Sequence, residues 1–149
     1  MPSFKTVPCS AAFALAALLC STSVEASLGT DESSVVDDAR AFGAMPLNGS
    51  AGGVRRQTIH SGRTTIHEYI GSAGQVFAVT FSGGRTPDLK VLLGSYFADF
   101  QANARHDHRS AQVDTPSLKA ALHGRPGAIS GVVWLPALVP AGVTLESLK

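Results

Sequence analysis

The run over residues 64–100, TTIHEYIGSAGQVFAVTFSGGRTPDLKVLLGSYFADF, constrains the fold most, because its apolar period changes partway. Residues 64–70 and 75–81 are rich in β-branched and aromatic side chains and are separated by Gly71-Ser72-Ala73-Gly74, which predicts two strands and a turn. Phe77, Val79 and Phe81 share one face of the second strand. Val76, Ala78 and Thr80 share the other, and a strand apolar on both faces belongs in the middle of a sheet. Thr86-Pro87-Asp88 then predicts a helix start: a capping hydroxyl, a proline at the first position and an acid in the first turn. Leu89, Leu93, Tyr96, Phe97 and Phe100 fall on one helical face, with Leu92 at its edge. A helix over 87–103 lying across a sheet would gain about 1.5–3 kcal/mol per buried side chain before entropy is subtracted. Gly94 on its flank marks a bend or an early stop.

Residues 1–26 are a different object. Lys5 supplies a positive n-region, residues 11–20 (AAFALAALLC) an apolar h-region, and Val24-Glu25-Ala26 a peptidase site, so the expectation is a secretory signal cut after Ala26. The apolar run is too short to span a bilayer, which takes about 20 residues. A lipoprotein signal ending at Cys20 is the competing reading, and the large Leu19 before that cysteine argues against it. Cys9 and Cys20 are the only cysteines, so cleavage leaves a mature chain held by packing alone in a compartment that permits disulfides. The expected organisation is therefore signal 1–26 and a single α+β domain over 27–149.

Within that domain, residues 32–42 predict a short helix, capped by Thr30 or Asp31, with Val35, Val36, Ala39 and Phe42 as its apolar stripe. Residues 44–53 (AMPLNGSAGG) read as a linker. Residues 54–60 and 64–70 predict a hairpin around Ser61-Gly62-Arg63. Asp31, Glu32, Asp37 and Asp38 against Arg40 give the segment before it a charge of −3, and Arg55, Arg56 and Arg63 give the hairpin +3. Opposite signs predict that helix and hairpin lie close. Residues 102–115 read as a polar loop. Leu118, Ala120 and Leu122 alternate with polar or small residues and favour a strand over 116–123, with a helix as the open alternative. Pro126-Gly127 predicts a turn, and residues 129–135 (ISGVVWL) a returning strand.

Several short motifs together resemble a group of short proteobacterial exported proteins classed only as a domain of unknown function. They are Leu28-Gly29, His67-Glu68-Tyr69, Val76-Phe77-Ala78-Val79, Pro87-Asp88-Leu89, Leu92-Leu93-Gly94, Tyr96-Phe97, Trp134-Leu135-Pro136 and Pro140-Ala141-Gly142-Val143. The resemblance spans nearly the whole mature chain. It implies a bacterial, exported location, and it supplies no activity and no catalytic residue.

Candidate chemistry is sparse. His106-Asp107-His108 puts two imidazoles at i and i+2, on one side of a strand, where Zn²⁺ would need one or two further ligands from His60, His67, Glu68 or His123. Arg105 and Arg109 beside it oppose a cation, so His106 and His108 stand as weak metal candidates and no cofactor is expected. His67 and Glu68 point to opposite faces of their strand and cannot serve one acid–base site. His67 and Tyr69 share a face and are the candidate ligand contacts. No serine occupies a G-x-S-x-G elbow, and Gly83-Gly84-Arg85 lacks the spacing and lysine of a phosphate loop. The formal charge of +1 gives no strong field pointing to an anionic membrane or to nucleic acid, and no nucleic acid partner is expected.

The expectation is thus an α+β domain: an antiparallel sheet of about five strands, two hairpins plus a central strand, with one amphipathic helix across it and a short N-terminal helix. The expected function is that of a small non-catalytic binding or envelope-interaction module, periplasmic or secreted, with an envelope or periplasmic partner and no transmembrane segment after processing. The alternative is a histidine- or metal-dependent periplasmic enzyme.

Overall fold

The computed structural model of the chain describes residues 28–51 and 54–148. The expected signal over 1–26, with Cys20, lies outside the described residues. Helix α1 (Ser34–Ala41) precedes four strands, β1 (Leu47–Ala51), β2 (Val54–Ser61), β3 (Thr64–Ile70) and β4 (Val76–Gly83). A broken helical segment follows, α2 (Leu89–Leu93), a 3₁₀ turn (Gly94–Tyr96) and α3 (Phe97–Asn103). Four more strands complete the sheet: β5 (Arg105–Asp107), β6 (Ser110–Asp114), β7 (Lys119–Arg125) and β8 (Ala128–Trp134). Two further 3₁₀ turns, Pro136–Leu138 and Leu145–Leu148, close the described chain. No described helix is long and apolar enough to cross a membrane.

All eight strands form one sheet in the order β1-β2-β3-β4-β8-β7-β6-β5, every pairing antiparallel. Two four-strand meanders are therefore joined along β4 and β8. This corrects the expected α+β fold with about five strands, one crossing helix and a short N-terminal helix: the described residues are mostly β, and helix is confined to short pieces. Three strands were hidden for physical reasons. β1 is an edge strand with exposed side chains at Leu47, Asn48, Gly49 and Ser50, so burial writes no pattern into it. β5 is three exposed residues at the other edge. β6 buries only Ala111 and Val113, too short a run for a period of two to stand out. The open choice over 116–123 resolves as strand, with Leu118, Ala120 and Leu122 all buried.

One face of the sheet carries the main core. Ile59, Ile66, Val79, Phe81, Val113, Ala120, Leu122 and Val133 pack there with Val35 and Ala39 of α1, Leu92 and Leu93 of α2, and Phe100 of α3. Gly131 of β8 makes room for the Phe81 ring, since a Cβ there would stand 2.3 Å from Phe81 Cζ. The helix expected over 87–103 is broken. Gly94, at φ 49° and ψ −120°, ends α2, and the chain re-enters helix at Phe97. The helix start is also two residues later than the capping hydroxyl of Thr86 would place it: Asp88 is the cap, and its Oδ1 accepts from the backbone N–H of Lys90 at 2.9 Å and Val91 at 3.4 Å. The charge contrast between the first segment and the hairpin has a direct counterpart. Arg55 of β2 pairs with Glu32, and Gln57 Nε2 donates to Glu32 Oε1 at 3.2 Å.

A second, smaller core lies on the opposite face. The register shifts between Tyr69 and Ile70, which pair with Ala78 and Val76, and Phe77 is the extra residue. Phe77 joins Tyr69, Val54, Ala78 and Leu148, with Trp134, Val139 and Val143 packed against them. The C-terminal segment thus covers one end of this face only.

Candidate functional site

The register aligns the strand ends, so the connections fall into two sets at opposite ends of the sheet. At one end Ser61 pairs with Thr64, Thr64 with Gly83, Gly83 with Ile129, and Ile129 with Gly124. Asp107 pairs with Ser110, and Ser110 with His123, at the same level. Three connections here carry an arginine, Arg63 between β2 and β3, Arg85 after β4 and Arg109 between β5 and β6, and a fourth, Arg125, ends β7 at its turn into β8. All four are exposed. The ion pairs among the described residues are Arg40–Asp37, Arg55–Glu32 and Lys119–Asp114, so none of these four is neutralised by one.

The acids at this end are held locally. Asp88 caps α2, and Asp107 Oδ1 accepts from the His108 backbone N–H at 2.7 Å. Residues 28–148 contain ten Lys or Arg and ten Asp or Glu, so the asymmetry is one of placement and not of composition. Asp31, whose backbone bridges to Gln75, and Glu32 and Asp114 lie at the opposite end, where Arg55 and Lys119 pair with the last two.

Among the described residues several clefts open at the arginine end, and two of them share Thr86. The larger, about 570 Å³, has Arg63, Arg85, Thr64 and Thr86 on its polar side and Phe42 and Val91 among its apolar lining. Its walls are tied together. Gly84 N–H donates to Arg63 O at 3.1 Å, Thr64 Oγ1 donates to Arg85 O at 2.9 Å, and Ser61 Oγ donates to Phe42 O at 3.3 Å. The Arg63 side chain lies along Gly84, where a Cβ would stand 3.5 Å from Arg63 Nε. That places its guanidinium against the loop carrying Arg85. The smaller cleft, about 320 Å³, is lined by Arg109, His123 and Arg125, and Thr86 belongs to both.

The residues singled out from sequence lie elsewhere. His67 and Tyr69 share a face of β3 but differ in access. Tyr69 is fully buried under the C-terminal segment, its hydroxyl donates to Leu148 O, and its ring stands 6.5 Å from that of Phe77. His67 is half-buried, with Nδ1 2.8 Å from Thr58 Oγ1. Burial, then the charges of Arg56 and His60, lower its pKa below the usual 6.5. Glu68 points the other way and is fully buried opposite Gln57, as Asp38 of α1 is also fully buried. His106 lies in β5 and His108 in the turn after it, both exposed. Among the described residues no three His, Cys, Asp or Glu side chains form a group able to hold a metal ion.

The arginines were missed because they are 22, 24 and 16 residues apart in the chain, in the order 63, 85, 109, 125. The available signal was their local setting: Gly62-Arg63-Thr64, Gly84-Arg85-Thr86 and Gly124-Arg125-Pro126 each put arginine in a glycine turn, where side chains are exposed. No curated protein and no solved structure matches the chain. Residues 24–148 match the family described as Protein of unknown function (DUF2844), and the chain belongs to that family.

Proposed function

We propose that the chain is an exported, non-catalytic binding module whose binding surface is the arginine-bearing end of the sheet, and that its partner is an anionic component of the cell envelope. The observation that carries this reading is the gathering of Arg63, Arg85, Arg109 and Arg125 at one end, each outside the ion pairs formed among the described residues. Unpaired guanidinium groups on loops are positioned for carboxylate or phosphate, which they bind in a bidentate fork. Export is argued from the n-region, h-region and cleavage site of residues 1–26. His60 and His67 are neighbours on β2 and β3 while His106, His108 and His123 lie on β5, the following turn and β7, and among the described residues the alternative enzymatic reading has no metal-binding group of three ligands to support it.

The test is retention on phosphocellulose at physiological ionic strength, where the screening length is about 8 Å and a local cluster still acts. The wild type is expected to be retained. A variant with the four arginines changed to Gln elutes early. A charge-matched variant with Arg40, Lys90, Arg105 and Lys119 changed to Gln keeps its retention. Equal elution of the two variants would overturn the reading, because net charge alone would then account for binding.

A further inference from the structure

Resting on that reading, we infer that the larger cleft is a separate subsite for one small amphipathic anion, a molecule with a carboxylate or phosphate head and a short apolar body. The lining of the cleft is of two chemical kinds, cationic at Arg63 and Arg85 and apolar at Phe42 and Val91. The arginines are exposed, and Phe42 and Val91 are half-buried, so neither kind is closed off by the fold. A volume of about 570 Å³ lies within the roughly 300–1,000 Å³ of small-molecule sites, which are mostly apolar with a few placed polar groups.

The arginines are positioned before any ligand arrives. The hydrogen bonds from Gly84 N–H to Arg63 O and from Thr64 Oγ1 to Arg85 O fix the two loops to each other. The third tie, Ser61 Oγ to Phe42 O, fixes the end of α1, and Phe42 with it, to the same hairpin. The one acid in the lining, Asp88, faces the N–H groups of Lys90 and Val91 as the α2 cap, so it is engaged within its own helix. An anion in the cleft meets two cations on a preorganised frame, and its apolar part displaces water from Phe42 and Val91. Inorganic phosphate would satisfy only the arginines, and a neutral amphiphile only the apolar residues.

Calorimetric titration of the full chain with octyl phosphate, octanoate, inorganic phosphate and octyl glucoside tests this. Octyl phosphate or octanoate is expected to saturate at one per chain, the tighter of the two identifying the head group. Inorganic phosphate and octyl glucoside should each bind at least about tenfold more weakly, since each lacks one of the two contributions. R63Q/R85Q should weaken the amphiphile by about tenfold or more, the loss expected for a charge-assisted contact, while R109Q/R125Q leaves it unchanged. Absence of saturation by both amphiphiles, or equal affinity in R63Q/R85Q and wild type, would overturn the subsite. If phosphocellulose retention still depends on the four arginines in that case, the subsite fails and the binding end stands.

Discussion

His67 is held on β3 beside Thr58, where burial first, and then the charges of Arg56 and His60, disfavour its charged form. Its pKa in the fold lies below 6.5, so the unfolded chain takes up a proton that the folded chain refuses. The folded state binds fewer protons as pH falls below 6.5, and stability must fall with it. The thermal midpoint is expected to drop as pH is lowered from 7 through the range beneath 6.5, and His67→Gln should flatten that slope. An unchanged slope in the variant would assign the dependence to other groups. Alternation along a strand was readable here: His67 and Glu68 do face opposite sides, and Glu68 is buried on the helix side. What the residues themselves do not disclose is access, because the segment ending at Leu148 that buries Tyr69 lies 79 positions away in the chain.

At the scale of elements, the hairpin β2–β3, the central β4 and β7 were readable because each buries an alternating or continuous apolar run, and β8 because Ile129, Val132, Val133 and Trp134 are strand-forming residues after a Pro-Gly turn. β1, β5 and β6 were not, since edge strands gain their hydrogen bonds from a neighbour and need little burial of their own. The helical segment was readable as an apolar face but not as two pieces. Gly94 decides between those descriptions. In an unbroken helix, alanine there would stabilise by about 1 kcal/mol. At φ 49° and ψ −120° an L side chain is strained, so Gly94→Ala is expected to destabilise by about 1–3 kcal/mol in denaturant melts. A stabilising Gly94→Ala would mean that residues 89–103 form one helix.

The whole molecule turns a near-neutral composition into a polarised one. Two meanders joined through β4 and β8 bring connections from both halves of the chain to one end, and an arginine sits in three of them and at the last residue of β7. Neither composition nor local pattern carries that information, because it depends on which strands pair across the centre. Had β4 paired elsewhere, Arg85 would not share a cleft boundary at Thr86 with Arg109 and Arg125. The β4–β8 pairing is therefore the claim on which both the fold and the binding surface rest. It is tested by cross-linking in a chain whose Cys9 and Cys20 are replaced by serine. Thr80 and Val132 are register partners, with Cα atoms about 4.5–5.5 Å apart as in any antiparallel pair. Thr80 and Gln112 are three strands apart, about 14 Å at the usual strand spacing. Mild oxidation is expected to give an intramolecular disulfide in T80C/V132C and none in T80C/Q112C; a disulfide in the second pair and not the first would contradict the strand order and the arginine end built on it.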